Sequence, residues 1–325
     1  MNVRSLRLRL LLVFMVLFTS NSVWAENKKI VLSQLFQSVM FLPVYVALDK
    51  GFFEKQGLDV SKQTAGSPNA ALSAVISGSA DFSLHGPEWT AIAASKGANV
   101  QIVAGVVNRA AVWIVGKPDF HYKDPADFKG KTVATGLMPI ASTSLLNKLL
   151  QENKASDGVK VLQVQAGSEL APLLAGQADA AVVYEPGVDQ LVAKGMKVIH
   201  SFPQQYGPYL LSAITTRKDQ DPETVLGFIT GLNNAMKFMH EHPDVALEVA
   251  RKEFPTLEPD VVAAAVKRML DEQVYPESIA ISPKSFEVAM QTQIALGNLK
   301  EQPVFDQLIG NTFIQNALST AATTH

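Results

Sequence analysis

The segment FLPVYVALDKGFFEKQGLDV, residues 41–60, holds a helix, a helix stop and a strand in direct succession. Pro43 lies in the first turn of a predicted helix over residues 43–50, a position that suits proline because no helical hydrogen bond is lost there. Gly51 ends that helix. Residues 58–63 form the next predicted strand. A helix that leads through a glycine stop into a strand is typical of an α/β protein.

The same alternation of strands and helices extends on both sides of this segment. The predicted strands form two series, residues 30–33, 58–63, 81–84 and 100–107, and then residues 131–135, 159–164, 178–183 and 197–200. Residues 112–116 and 210–216 are extended, rich in β-branched side chains, and bound the second series. From Asp221 onward helical spacing dominates, with helices predicted from residue 221 and over residues 244–253, 258–270, 283–296 and 305–309.

The two series predict an α/β protein with two lobes. Lobe 1 comprises residues 26–113 together with 214–325, and lobe 2 comprises residues 114–213. The two extended segments are the predicted hinge strands between the lobes. Ligands of open α/β sheets bind beyond the carboxyl ends of strands and at the helix N-termini that follow. We therefore expect the binding residues in the loops after strands.

Residues 1–25 predict a secretory signal peptide. Arg4, Arg7 and Arg9 precede nine apolar residues, 10–18, and Ala25 ends a small-x-small cleavage site. Nine apolar residues cover less than half of the roughly 30 Å hydrocarbon core of a bilayer, which argues against a membrane anchor. We expect cleavage after Ala25 and a periplasmic protein that is not embedded in the membrane.

The composition excludes several kinds of site. The 325 residues carry 28 Lys and Arg, 30 Asp and Glu, and no Cys. Near-zero net charge argues against a nucleic-acid partner. Without Cys the chain has no disulfide, no thiol nucleophile and no lipidated N-terminus. The six His residues show no metal-binding spacing. We expect a monomer with no metal and no cofactor.

Three motifs resemble a family of ABC-importer solute-binding proteins, those for sulfonates, nitrate and thiamine precursors. Residues 41–60 resemble its P-x-Y-V-A-x-x-K-G-F-F-E-K-x-G-L-D-V segment, residues 127–133 (DFKGKTV) its D-L-K-G-K-x-V segment, and residues 178–186 (ADAAVVYEP) its A-D-A-A-x-x-x-x-P segment. The resemblance implies a two-lobed type II periplasmic binding protein with the ligand in the cleft between the lobes. It also implies a cognate ABC permease and its ATPase as partners.

Two loops of lobe 1 carry small polar candidates. Gln37 and Ser38 follow the first strand, where they could donate to a ligand or form an ordinary polar loop. Gly66 and Ser67 precede a helix, where backbone N–H groups and a hydroxyl can bind an anion or a carbonyl. Ser67 is equally expected as a plain N-cap.

Residues 85–89 (HGPEW) form the most distinctive loop of lobe 1. Gly86 permits a tight turn, Glu88 falls in the first turn of a helix, and Trp89 offers a stacking face. A carboxylate there can hold an amine or a ring N–H by a charge-assisted hydrogen bond. An acid is also favoured beside a helix N-terminus by the helix dipole alone.

Lobe 2 contributes two further groups of candidates. Ala141, Ser142 and Thr143 open a helix, and their N–H and hydroxyl groups suit a sulfonate, carboxylate or phosphate oxygen, although one hydroxyl is needed as a cap. Tyr184 and Glu185 follow the strand at residues 178–183 and place an aromatic ring and an acid at a strand end; the alternative is a solvated loop.

Arg109 and Tyr206 lie beside the two hinge segments. Arg109 could pair with Glu88 or clamp an anion, but a solvated surface arginine is the favoured interpretation. Tyr206 precedes the return hinge and is the weaker of the aromatic candidates.

The candidates leave two ligand classes open. Two acids, Glu88 and Glu185, near aromatic side chains favour a nitrogen heterocycle such as a thiamine-pyrimidine precursor, whereas the hydroxyl-rich helix start favours a sulfonate such as taurine or a nitrate-like anion. An enzyme is the alternative of another class, since a pyrimidine synthase resembles this family. That enzyme needs a cysteine-rich iron motif, and this chain has neither Cys nor a G-x-S-x-G nucleophile motif. A sensory binding protein without transport has the same sequence features.

Overall fold

The computed structural model describes residues 26–322. The predicted signal peptide and its cleavage site lie outside the described residues. The strands are β1 (Lys28–Gln34), β2 (Leu58–Thr64), β3 (Phe82–His85), β4 (Val100–Arg109), β5 (Trp113–Gly116), β6 (Thr132–Gly136), β7 (Lys160–Val164), β8 (Ala180–Val183), β9 (Lys197–Ser201) and β10 (Pro208–Arg217).

Helices cover the sheets and fill the C-terminal part of the described chain. They are α1 (Leu42–Asp49), α2 (Pro68–Ser77), α3 (Pro87–Ser95), α4 (Ala141–Glu152), α5 (Leu170–Leu174), α6 (Gly187–Val192), α7 (Phe202–Tyr206), α8 (Pro222–Glu241), α9 (Pro243–Glu253), α10 (Pro259–Asp271), α11 (Pro283–Ala295), α12 (Phe305–Leu308) and α13 (Asn311–Ala322). None of the helices between residues 26 and 322 has the length and apolar character needed to cross a bilayer.

Two five-stranded sheets are built on the same plan. The first has the order β2-β1-β3-β10-β4 and the second the order β7-β6-β8-β5-β9. In the first sheet β1 runs parallel to β2 and β3, and β10 is antiparallel to both of its neighbours. In the second sheet β6 runs parallel to β7 and β8, and β5 is antiparallel to both of its neighbours. This arrangement confirms the α/β fold with two lobes.

The two segments predicted as hinge strands belong to single sheets. Residues 112–116 lie almost entirely in β5 of the second sheet, and residues 210–216 lie in β10 of the first. The chain crosses between the sheets in the short connections at residues 110–112 and 202–207. Each crossing inserts an antiparallel strand into the sheet that it reaches. The lobe limits proposed at 113/114 and 213/214 therefore fall within strands, and the pairing favours limits at the two crossings.

The core of lobe 1 forms between the first sheet and α8. Asp221 caps α8 by accepting the N–H of Thr224 at 3.2 Å, and Pro222 occupies the first helical position, as predicted. The Phe228 ring of this helix stacks on Phe53 at 4.6 Å and on Phe82 of β3 at 4.0 Å. Such ring pairs add about 0.5–1.5 kcal/mol to the free energy of burying their area.

Two helices are absent from the sequence prediction, α7 and α13. The last predicted helix covers residues 305–309, but α13 begins at Asn311. Four apolar residues of α13 pack on the core at helical spacing: Phe313, Ile314, Ala317 and Leu318.

The spacing between α8 and the loop after α1 gives a stability prediction. A Cβ on Gly231 would lie 2.8 Å from the backbone oxygen of Phe52, whereas a Cβ on Gly227, one turn earlier, would meet only ordinary contacts at 3.5 Å. We expect Gly231→Ala to lower the free energy of unfolding by about 1–3 kcal/mol through overpacking. Gly227→Ala is the matched control and should raise it by about 0.5–1 kcal/mol, because alanine favours helix. Urea unfolding measures the free energy of unfolding of both variants. Equal changes in the two would contradict the close approach of Gly231 to the backbone oxygen of Phe52.

Candidate functional site

The carboxyl ends of the parallel strands in the two sheets line a cleft between the lobes. The cleft holds an inner cavity of about 20 Å³ and an outer cavity of about 180 Å³, which share Phe36 and Tyr184. The inner cavity is lined by Leu35, Phe36, Met40, Pro68, Gly86, Glu88, Ile140, Ala141, Tyr184, Leu211 and Ser212. The outer cavity is lined by Phe36, Gln37, Gly167, Glu169, Leu170, Val183, Tyr184, Glu185, Pro186, Gly187, Gln190, Phe254, Thr256 and Leu257.

Glu88 reaches the inner cavity from the first turn of α3. Its carboxylate folds back to accept its own backbone N–H, and burial raises its pKa from 4.5 to about 7. A Cβ on Gly86 would overlap this carboxylate, so the folded-back position requires glycine two residues earlier. Glu88 and Gly86 both line the inner cavity, directly after β3.

Glu169 is a second cleft acid that sequence reasoning missed. It follows β7, is 1% exposed, and lines the outer cavity. Burial raises its pKa from 4.5 to about 7, although the backbone N–H groups of Gly167 and Glu169 donate to it. Its Oε1 is buried and has no hydrogen-bond partner within the described residues. The signal was present, because residues 165–169 follow a predicted strand as the other candidate loops do.

Tyr184 lies close to both acids. Its hydroxyl accepts the N–H of Ser142 at 2.9 Å, and its ring centroid is 5.3 Å from that of Phe36. Burial holds the pKa of the Tyr184 hydroxyl above its ordinary value, and the negative charges of Glu169 and Glu88 raise it further. The two carboxylates therefore approach one aromatic side chain from different lobes.

Glu185 does not present a free carboxylate to the cleft. It lines the outer cavity, but Arg268 Nε donates to its Oε1 at 2.7 Å, and Arg268 also binds Asp189 Oδ1 at 2.7 Å. Its backbone oxygen accepts the hydroxyl of Ser38 at 2.5 Å. Glu185, which we expected to be the second ligand acid, is thus paired with Arg268, whereas Glu169 lies on the same cavity wall without a cationic partner.

The hydroxyl groups at the start of α4 bind the protein itself. Ser142 Oγ accepts the N–H of Gly136 at 3.0 Å, and Thr143 Oγ1 is hydrogen-bonded to Thr135 Oγ1 at 2.8 Å and to the Gly136 carbonyl. Both side chains are fully buried. Ala141 contributes to the wall of the inner cavity. The hydroxyl groups of Ser142 and Thr143 thus already have hydrogen-bond partners within the protein.

Two candidates bridge the lobes at the cleft. Trp89 Nε1 donates to the backbone oxygen of Pro139 at 2.8 Å. The backbone oxygen of Gly66 accepts Gln165 Nε2 at 3.2 Å. Both bonds join a residue of lobe 1 to a residue of lobe 2, so the structure has a closed cleft.

Two further candidates serve local structure. Ser67 accepts the N–H of Ala70 at 3.1 Å and is a plain N-cap of α2. Gln37 borders the outer cavity, and its amide donates to the backbone oxygen and the carboxylate of Glu253, each at 2.8 Å.

The two hinge-side candidates lie away from the cleft acids. Arg109 donates to Gln273 Oε1 at 3.1 Å and makes no ion pair with Glu88 among the described contacts. Tyr206 donates to Glu152 Oε2 at 2.9 Å. Neither lines the two cleft cavities.

The side chains that line the cleft include acidic groups but no basic ones. The residues that line the two cavities include three glutamates, and none of them is Lys, Arg or His. Of these three carboxylates, only that of Glu185 has a cation as partner. Residues 26–322 contain no cluster of three or more acidic or His side chains suited to a metal ion. The cleft can therefore accept hydrogen bonds from a small molecule that carries N–H donors or positive charge.

Sequence comparisons find relatives whose names describe binding proteins. The chain is 21% identical over 303 residues to the putative binding protein YtlA of Bacillus subtilis, covering 90% of both chains. It is 27% identical over 214 residues to the formylaminopyrimidine-binding protein of Halalkalibacterium halodurans, covering 63% of this chain and 64% of that protein. It is 26% identical over 207 residues to the taurine-binding periplasmic protein of Escherichia coli, covering 62% and 63%.

Solved structures share the fold. A protein of Bordetella bronchiseptica RB50 superimposes with a TM-score of 0.77 at 21% identity, covering 92% of this chain and 99% of that chain. The periplasmic nitrate-binding protein NrtA of Synechocystis PCC 6803 gives 0.75 at 14% identity, covering 91% and 89%. The desulfurization enzyme DSZB gives 0.68 at 13% identity, covering 90% and 99%, so the fold alone does not exclude catalysis.

The family assignment rests on the sequence itself. The sequence model of the NMT1/THI5-like family matches residues 38–246, which is more than half of the 325 residues. That span contains the three motifs, both crossings and the cleft acids Glu88 and Glu169. The chain belongs to the NMT1/THI5-like family.

Proposed function

We propose that this protein is the solute-binding component of an ABC importer and that it captures a small nitrogen-bearing molecule. The observation that carries the proposal is the pair of buried carboxyls, Glu88 and Glu169, with no basic side chain on the walls of the cleft. A buried carboxylate without a counter-ion is costly. A ligand with an amine or a ring N–H offsets that cost by donating charge-assisted hydrogen bonds.

Capture occurs by closure of the two lobes. The ligand first meets one lobe and then stabilises the closed state, since only there do both acids and Tyr184 reach it. The energy available for closure is the difference between the ligand's affinities for the closed and open states. The mechanism requires no covalent step, and the proposed partners are a cognate permease and its ATPase at the periplasmic face of the inner membrane.

An anion fits this cleft less well than a nitrogen base. A sulfonate or nitrate group needs donors or cations, and the hydroxyls of Ser142 and Thr143 are occupied by protein groups. Two carboxyls beside an anion would have to stay protonated. The formylaminopyrimidine-binding relative supports the nitrogen-base class, and the taurine-binding relative supports the alternative.

One prediction concerns the bound molecule and the two cleft acids, Glu88 and Glu169. Native mass spectrometry of protein purified from its own cells should show a bound nitrogen-containing molecule, and 4-amino-2-methylpyrimidine should bind in calorimetry. Glu88→Gln and Glu169→Gln should each weaken that binding roughly tenfold or more, the scale of one hydrogen bond to a charged group. Glu287→Gln, on the exposed face of α11, is the control and should bind as the parent does. Tighter binding of taurine or nitrate than of the pyrimidine would reject the nitrogen-base class.

The pH dependence of affinity separates the two ligand classes. Because the pKa values of Glu88 and Glu169 are raised to about 7, both carboxyls ionise as pH rises from 5.5 to 8. An N–H donor that keeps its charge state over this range should bind more tightly as pH rises, with release of protons. An anion should bind less tightly as pH rises, and its binding should be accompanied by uptake of protons by the two carboxyls. Calorimetry in two buffers of different ionisation enthalpy measures the sign.

The same groups predict how the stability of the ligand-free protein varies with pH. The folded protein keeps these carboxyls protonated up to about pH 7, whereas the unfolded chain ionises them near 4.5. Their contribution to stability is complete below pH 4.5 and is lost as pH rises through 7. Thermal unfolding between pH 5 and 8 should show a smaller fall in melting temperature for the Glu88→Gln/Glu169→Gln double variant than for the parent. Parallel curves would show that the two acids do not titrate in this range.

A further inference from the structure

Helix α10 belongs to lobe 1 and touches lobe 2. It packs on α9 and on the helical turn at Val39–Phe41, and on its other side it packs against α6 of lobe 2. The chain directly after α10 returns to lobe 1, where the hydroxyl of Tyr275 donates to the backbone oxygen of Val39 at 2.7 Å. An element held in this way moves with lobe 1 when the lobes separate.

Arg268 extends from α10 into an acidic pair of lobe 2. Its guanidinium donates to Glu185 Oε1 and to Asp189 Oδ1, both at 2.7 Å. The side chains of Glu185 and Asp189 are 0% and 5% exposed, and that of Arg268 is 23% exposed. Asp189 also donates its backbone N–H to Glu185 Oε2 at 3.2 Å. The two acids are thus adjacent and buried, and both bind one guanidinium, whose single charge neutralises only one of them. Burial and the neighbouring Asp189 accordingly raise the pKa of Glu185 well above its ordinary value.

Glu272 anchors the end of the same helix at the crossings. Its Oε1 accepts Trp113 Nε1 at 3.0 Å, and its Oε2 accepts the hydroxyl of Ser201 at 2.5 Å. Trp113 begins the strand after the first crossing, and Ser201 ends the strand before the second. The end of α10 is therefore fixed beside the pivot, while Arg268, one helical turn earlier, contacts groups that rotate with lobe 2.

A rotation about the crossings separates Arg268 from Glu185 and Asp189. Hydrogen bonds of this kind weaken steeply once the heavy atoms move about 1 Å beyond their normal distance. Opening would replace the hydrogen bonds from Arg268 to both acids by hydrogen bonds to water, and hydrogen bonds to charged groups keep a net stabilising value in that exchange. The arrangement therefore opposes opening even when the cleft holds no ligand.

We infer that Arg268 is a positioning residue that holds the lobes together through an ion pair made only in the closed state. Arg268 does not itself line the cleft cavities, although it binds Glu185, which lines the outer one. It sets the fraction of ligand-free protein that is already closed, and the apparent ligand affinity depends on that fraction. This effect on affinity rests on the proposed function, whereas the closed fraction itself exists without any ligand.

The test measures the distance between the lobes in ligand-free protein. Because the chain has no Cys, Asn69→Cys in lobe 1 and Lys160→Cys in lobe 2 provide unique sites for two spin labels. Both positions are exposed. In the parent, the distance distribution from electron double resonance should be dominated by the closed state. Arg268→Met should lower the ratio of closed to open molecules about tenfold or more.

Lys267→Met is the matched control. Lys267 is the neighbouring residue of α10, and it pairs with Asp271 at 2.5 Å on the exposed face. Its loss should leave the distance distribution unchanged. If Arg268→Met folds poorly, the Glu185→Gln/Asp189→Asn/Arg268→Met variant removes all three charges and should show the same opened distribution.

The outcomes separate a closure device from ordinary structural support. A lower melting temperature with an unchanged distance distribution in both Arg268 variants would overturn the inference, because the ion pair would then stabilise the fold without affecting closure. The measurement uses no ligand, so it stands even if the nitrogen-base proposal fails. With the pyrimidine probe, an opened Arg268 variant should also bind more weakly, by the same factor by which its closed fraction falls.

Discussion

The chain passes twice between two sheets, and this constraint determines the rest of the structure. Each passage ends in an antiparallel strand, β5 or β10, inserted beside the parallel strands of the sheet that it reaches. The insertion anchors both crossing segments firmly at their ends. The two connections, residues 110–112 and 202–207, are short and join the same pair of sheets. The cleft between the lobes is where the carboxyl ends of the parallel strands meet.

Carboxyl groups without a cationic partner distinguish that cleft chemically. Glu88 enters from lobe 1 and Glu169 from lobe 2, and each is held by backbone N–H groups without a cationic side chain. A third acid, Glu185, lies on the same wall but is neutralised by Arg268. The cleft thus contains two kinds of buried carboxyl group, one without a cationic partner and one paired with an arginine of the other lobe. The two kinds differ in one contact, because Arg268 of α10 pairs with Glu185 and not with Glu88 or Glu169.

The sequence predicted the fold more completely than the site. Proline and glycine at helix ends and the two strand series were sufficient for the α/β lobes, because these signals are local. Glu88 was predicted from its place after a strand. The pairing of Glu185 was not predicted, because it depends on Arg268, which is 83 residues away in the chain. Local pattern cannot show which acid meets a distant guanidinium. Likewise the hydroxyls of Ser142 and Thr143 were candidate donors until the backbone groups that they satisfy were known.

One part of the wall of the outer cavity comes from a connection between two helices and not from a loop after a strand. Phe254, Thr256 and Leu257 come from the connection between α9 and α10, beyond residue 246, where the family match ends. Connections between helices accept insertions and substitutions more readily than strands do. A lineage could therefore enlarge or narrow this chamber by changing a few residues outside both sheets, while the acids and the crossings stay as they are. In evolutionary terms, this part of the wall of the outer cavity can change independently of the cleft acids.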